Sequence, residues 1–135
     1  MVAVYSENFS ITRQTKGGIP TLPFVEVKNE IMGEDYELSL FFPNIKYATE
    51  LHMKWKKKPG PANILSFPLD DAEGEIFLSL SQARKEAPKY GRSYKQHLLF
   101  LFIHGCLHLK GMTHGAKMEQ QERFWYDKFE QKLNS

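Results

Sequence analysis

Tyr36-Glu37-Leu38-Ser39-Leu40-Phe41-Phe42 decides the fold class of this chain. Polar and apolar residues alternate before the run becomes continuously apolar, the pattern of a strand entering a core. Pro43 ends the strand and can occupy an early position of the next helix. Ile64 to Pro68 and Glu75 to Ser79 repeat the strand signature on either side of an acidic connection. Between the first two strands, Ile45, Ala48, Thr49, His52 and Trp55 return to one side at helical spacing. Lys57-Lys58-Pro59-Gly60-Pro61 then breaks regular structure. A brief helix behind a serine cap is expected over Ser81 to Glu86 and a main helix over Ser93 to Leu109, anchored by Leu98, Leu101, Phe102 and Leu109. The last helix is expected from Met118 to Leu133, offering Phe124, Trp125 and Phe129 for packing. Upstream, Val2 to Tyr5 reads as a short edge strand, Ile11 to Pro20 as a connection, and Phe24 to Met32 as a helix or a strand. Strands interspersed with helices favour a small α/β or α+β sheet with helical cover over a helical bundle.

The 135 residues suffice for one core, so residues 1–135 are expected to form a single domain. A 41% apolar fraction excludes a wholly disordered chain, and ten Phe, six Tyr and two Trp supply bulk for a core. Cys106 is the one cysteine, which excludes an internal disulfide and fits a reducing, cytoplasmic setting. Met1 to Glu7 lacks a basic region leading into an apolar run, so no secretory signal is expected. Leu98 to Ile103 is far shorter than the ~20 apolar residues of a membrane span. Formal charge is only +2 but unevenly placed: Lys46, Lys54, Lys56, Lys57 and Lys58 make a basic stretch, and Asp70, Asp71, Glu73 and Glu75 an acidic one. Such a lysine run can meet phosphates, although most surface lysine clusters only solvate a face.

Three of the five histidines fall in His104-Gly105-Cys106-Leu107-His108-Leu109-Lys110-Gly111-Met112-Thr113-His114. Four helical steps place His104 and His108 about 40° apart with a rise of about 6 Å, so both rings can meet one ion. Gly111 supplies a break that lets His114 turn back to the same point. Neutral imidazole suits zinc, and also nickel, copper or iron; one divalent ion, zinc first among them, is expected. Three ligands leave a position for water, which favours catalysis over a closed structural site. Cys106 lies two steps from each helical histidine and should point away, and His52 or His97 could join only from elsewhere in the fold. The spacing matches the long zinc-protease signature, yet Gly105 stands where those enzymes need a glutamate base. Peptide hydrolysis by that mechanism is therefore disfavoured.

The run resembles the signature of the YbeY family of bacterial rRNA maturation factors, His-Gly-x-Leu-His-Leu-x-Gly-Tyr-Asp-His. Ala62-Asn63-Ile64-Leu65-Ser66-Phe67-Pro68 resembles the family's Thr-Asp-Val-Leu-Ser-Phe-Pro, and Gly74-Glu75-Ile76-Phe77-Leu78-Ser79 its Gly-Asp-Ile-x-Ile-Ser. The likeness covers roughly residues 36 to 130. It implies a small mixed β-sheet covered by helices, the central helix carrying two metal-binding histidines, and a metal held by His104, His108 and His114. It further implies a single-strand-directed endoribonuclease acting in maturation of small-subunit (16S) ribosomal RNA and in ribosome quality control. Ribosomal RNA, the small subunit, and a ribosomal protein or assembly GTPase are the implied partners, with no membrane. Ser66 matches the family's serine near the cleft, and Lys56 falls where the family has an arginine, keeping the charge without the bidentate fork. Glu75 is a candidate acid/base, and Lys54, Lys56, Lys57 and Lys58 are candidate RNA-backbone contacts. Asn63 and Thr113 replace usual aspartates, and His97 replaces a frequent glutamate. Two other readings stay open: a metal-stabilised ribosome assembly or RNA-binding factor with little nuclease chemistry, and a metal-dependent hydrolase of another substrate.

Overall fold

The computed structural model describes residues 2–134. In chain order its elements are β1 (Val2–Ser6), β2 (Phe9–Arg13), α1 (Phe24–Met32), β3 (Glu37–Phe42), α2 (Ile45–Lys56), β4 (Ile64–Asp70), β5 (Glu73–Leu78), α3 (Leu80–Glu86), α4 (Tyr94–Leu109) and α5 (Ala116–Glu130). The strands make one five-stranded sheet in the order β1-β2-β3-β5-β4. β3 runs parallel to β2 and to β5, while β1 and β4 pair antiparallel at the edges, so the sheet is mixed. Register places Ile11, Leu40 and Ile76 in one row across the centre, and all three are fully buried.

Alternation along the strands divides the side chains between two faces. Phe9, Ile11, Leu38, Leu40, Phe42, Ile76 and Leu78 join α1, α3, α4 and α5 in the larger core. On the opposite face Leu65 meets Leu51 of α2, with Tyr47, Phe67 and Phe77 packed around them. α4 is the helix the larger core is built on: Leu98, Leu99, Leu101, Phe102, Ile103, Cys106 and Leu107 are all buried. Such a helix is apolar on nearly every side because the sheet and three other helices cover it. Ser93 caps it and forms a reciprocal capping box with Gln96.

Several sequence expectations need correction. Ile11–Arg13 belongs to β2 rather than to a connection. The residue that caps α2 is Asn44, whose side chain accepts from the Tyr47 N–H, so Pro43 precedes the helix. The buried side of α2 is Ala48 and Leu51, while Ile45 and Trp55 are more than half exposed, at 56% and 54%. α3 starts at Leu80 behind Ser79. Of the three aromatic residues expected to pack from α5, Phe129 is buried and Trp125 packs partly buried, but Phe124 points outward, and Met118 and Glu122 complete the buried side. Among the described residues no helix is long and apolar enough to cross a membrane.

Candidate metal centre

His104 and His108 stand on the last turns of α4, on its one incompletely covered side, and both are half-buried. The helix ends at Leu109, Gly111 adopts a φ of 92° that only glycine takes without strain, and the returning loop brings exposed His114 back over α4. Ring centroids of His114 lie 5.2 Å from His104 and 4.8 Å from His108. One ligand nitrogen from each of the three falls within 4.8 Å of the others.

Hydrogen bonding fixes which nitrogens are free. The Nδ1 of His104 donates to Oε2 of Glu122 at 2.6 Å, and the Nδ1 of His108 donates to the Met112 carbonyl at 3.0 Å. In a neutral imidazole the opposite nitrogen then carries only a lone pair. Two such Nε2 lone pairs face each other at 3.0 Å, an arrangement that repels unless an electrophile lies between them. Ligands ~2.0–2.1 Å from a shared tetrahedral zinc keep about 3.4 Å between them, so the donor set fits a divalent cation. Burial, and next the neighbouring His104, hold the His108 imidazole below its ordinary pKa and so in the ligating form.

The histidines open into a cleft of about 820 Å³ whose walls include Lys56, Lys58, Ser66, Glu86, Tyr90 and Arg92. Ser66 projects from β4 toward α4 and donates to the Gly105 carbonyl at 3.2 Å. Gly105 allows this approach: a Cβ there would lie 2.8 Å from Ile64 Cδ1 and 3.1 Å from Ser66 Oγ. Lys56 and Lys58 reach the cleft from the end of α2, whereas Lys54, lying 5.2 Å from the centre of the Trp55 ring, and Lys57 do not line it. Glu75 sits between buried Gly74 and Ile76 on β5 and so on the sheet face away from α4; it is not a cleft residue. Cys106 is fully buried in the core, where burial raises its thiol pKa. The Nδ1 of His52 donates to the Gly60 carbonyl, and His97 joins Glu86 and Arg92; neither belongs to the metal group.

A family model described as Endoribonuclease YbeY matches residues 6–132. The chain belongs to the YbeY family. Among curated YbeY relatives, the Endoribonuclease YbeY of Beutenbergia cavernae is 35% identical over 65% of this chain and 67% of its own length. That of Nocardia farcinica is 34% identical over 65% of this chain and 56% of its own length. The chain thus spans between about half and two thirds of these two proteins. The solution structure of TM1509 from Thermotoga maritima shares the fold, with a TM-score of 0.66, 20% identity, and 93% of this chain and 91% of that chain covered.

In this YbeY-family chain Thr113 has no carboxylate with which to orient a histidine of the cluster. Glu122 provides one from α5, 8% exposed and aimed at His104. Its sequence signal is a charge within the apolar stripe Met118, Glu122, Trp125, Phe129, where only a partnered carboxylate is tolerated. The group Asn63, Glu86, Arg92 and His97 carries no motif spacing: Glu86, Arg92 and His97 are near in sequence but sit at the end of α3, in the turn after it and in α4, and Asn63 precedes Glu86 by 23 positions.

Proposed function

We propose that this chain is a cytoplasmic, single-strand-directed endoribonuclease that matures small-subunit ribosomal RNA and serves ribosome quality control, and that residues 1–135 act as one such domain. One divalent ion, zinc, is held by His104, His108 and His114. The observation that carries this reading is the pair of unprotonated ε nitrogens 3.0 Å apart at the wall of an open cleft. Membership of the YbeY family supplies the substrate class.

A cation bound there supplies Lewis acidity toward a phosphoryl oxygen and toward water. Glu122 and the Met112 carbonyl hold two rings with their Nε2 atoms turned inward, so little reorganisation accompanies binding. Ser66 spends its proton on the Gly105 carbonyl, which leaves its oxygen lone pairs for a ribose hydroxyl or a water. Lys56 brings positive charge toward a phosphate that gains charge as it reacts, and Lys58 adds to the field at the cleft. Lys54 and Lys57 meet the RNA backbone outside the cleft. Glu75 receives no part in the chemistry because of the sheet face it occupies. Ribosomal RNA, the small subunit and a ribosomal protein or assembly GTPase are the partners this role entails.

The test is metal analysis of purified protein together with cleavage of small-subunit precursor RNA by the intact chain and by folded His108→Ala. Near-stoichiometric metal, with cleavage lost in the variant, is expected. The product ends separate attack by the neighbouring 2′-hydroxyl from direct hydrolysis. One observation favours a second reading, that of a metal-stabilised assembly factor: among the described residues Glu86 is the one carboxylate on the cleft wall, and it is already bonded to Asn63 and His97. Stoichiometric metal without cleavage, even on ribosomal particles, decides for that reading.

A further inference from the structure

We propose that Tyr90 and Arg92 form a nucleotide subsite in the histidine cleft, Arg92 holding a phosphate that flanks the reacting one and Tyr90 stacking on a base of the same single strand. The inference rests on the RNA reading above and assigns residues that the family resemblance leaves without a role.

The local chain is built to hold these two side chains still. A 3-10 turn over Ala87–Tyr90, with Pro88 inside it, ends at Gly91, whose φ of 66° lies in the left-handed region. Gly91 N–H donates to the Pro88 carbonyl and Arg92 N–H to the Ala87 carbonyl. Ser93 immediately begins the capped start of α4. Tyr90, Gly91 and Arg92 are therefore clamped between two fixed elements, which removes much of the ordering cost of binding.

Arg92 is oriented by an imidazole and by rings. Its Nη1 donates to Nδ1 of His97 at 3.2 Å, and its guanidinium lies 4.0 Å from the centre of the Phe100 ring. Arginine can only donate, so Nδ1 of His97 must accept and Nε2 must carry the proton, which goes to Oε1 of Glu86 at 3.2 Å. Asn63 donates to the same oxygen at 3.1 Å. His97, only 2% exposed, is thus a neutral positioning residue that acts through Arg92. Among the described residues no carboxylate pairs with Arg92, whereas Lys128 pairs with Glu30 and Lys132 with Glu26. A preset guanidinium fork without a counter-ion, on the wall of a cleft that also holds Lys56 and Lys58, matches phosphate geometry.

Tyr90 supplies the second half. Its ring stacks on His97 at 5.1 Å and 16°, yet the residue is 61% exposed, which leaves ring surface open to solvent. Base stacking on such platforms tolerates any sequence. The rings of Tyr90, His97, Phe100 and His104 follow one another at 5.1, 6.4 and 6.2 Å with small interplanar angles. The stack leads directly from the subsite to the metal-binding histidines, and Phe100 between them makes Arg92 and His104 address different phosphates. Arg92 would restore the bidentate contact that Lys56 cannot make.

The experiment measures binding of a labelled single-stranded RNA oligonucleotide by zinc-loaded protein across a salt series, with metal content and thermal unfolding recorded for every variant. Arg92→Gln should weaken binding on the order of ten-fold and lower the slope of log affinity against log salt by about 0.7, one phosphate on a single strand. Arg92→Lys, the safeguard should the glutamine variant fold poorly, should keep the slope and lose affinity. Tyr90→Ala should cost on the order of ten-fold with the slope unchanged. His97→Leu should reproduce the Arg92→Gln loss, and His97→Gln, which offers an acceptor to Arg92 and a donor to Glu86, should recover most of it. Folded Arg92→Gln and Tyr90→Ala variants with unaltered affinity and slope would overturn the subsite while leaving the nuclease reading intact. Failure of the unmodified, metal-loaded protein to bind RNA at all would overturn both.

Discussion

Gly105 shapes the site through the side chain it lacks. A Cβ at this position meets Ile64, Ile76 and Ser66 within 3.1 Å, so α4 reaches β4 and β5 only because nothing projects here. A side chain at this position, the protease-type glutamate included, would have to displace the ends of Ile64, Ile76 and Ser66. Gly105→Ala is expected to cost about 1–3 kcal/mol by overpacking, read as a lower urea midpoint with an unchanged slope. Glu122 is the complementary case, a buried carboxylate whose partner is the ring of His104. Glu122→Gln should weaken zinc affinity about 10- to 100-fold in a chelator competition, with circular dichroism unchanged. The histidine trio was legible from spacing because its members share eleven residues of chain. Glu122 was not, because eighteen residues and a turn separate it from His104.

At the level of elements, the legible ones were those whose burial is simple. β3 buries alternate side chains, with the exposed-to-buried order its sequence shows, and α4 carries both a capping signal and an apolar run. β2 was missed because Phe9 and Ile11 are its only large apolar residues, too few to stand out until the partner strands supply the rest of the row. The face of α2 was misjudged for a related reason. Among the described elements that helix is the one on its side of the sheet, and it packs through Ala48, Leu51 and Tyr47, leaving Ile45 and Trp55 more than half exposed. α4 is where loss of a terminus matters most, since both helical histidines ride on it. Ser93→Ala removes a capping box and should lower stability by about 1 kcal/mol, measured by thermal unfolding, with zinc stoichiometry retained.

Across the whole molecule the candidate metal centre joins three parts: α4 through His104 and His108, the loop after it through His114, and α5 through Glu122. An ion that binds only the folded state stabilises it by mass action, about 2.7 kcal/mol when free zinc exceeds its Kd a hundred-fold. Chelation should therefore lower the unfolding temperature, and zinc should restore it. Ligation needs neutral imidazoles, and burial lowers the pKa of His108 from its ordinary 6.5. Its ligating form is thus complete above that value and is lost only as pH falls through the lowered one, so affinity should hold near neutrality and decline on acidification. A zinc titration from pH 7.5 to 5 checks the sign. The same linkage gives the lone thiol a use. Cys106 sits between the two helical histidines in sequence yet faces the opposite, wholly enclosed side of α4. A maleimide can reach that sulfur only in molecules that have opened, so alkylation becomes an intrinsic clock for unfolding, and occupancy by zinc should slow that clock.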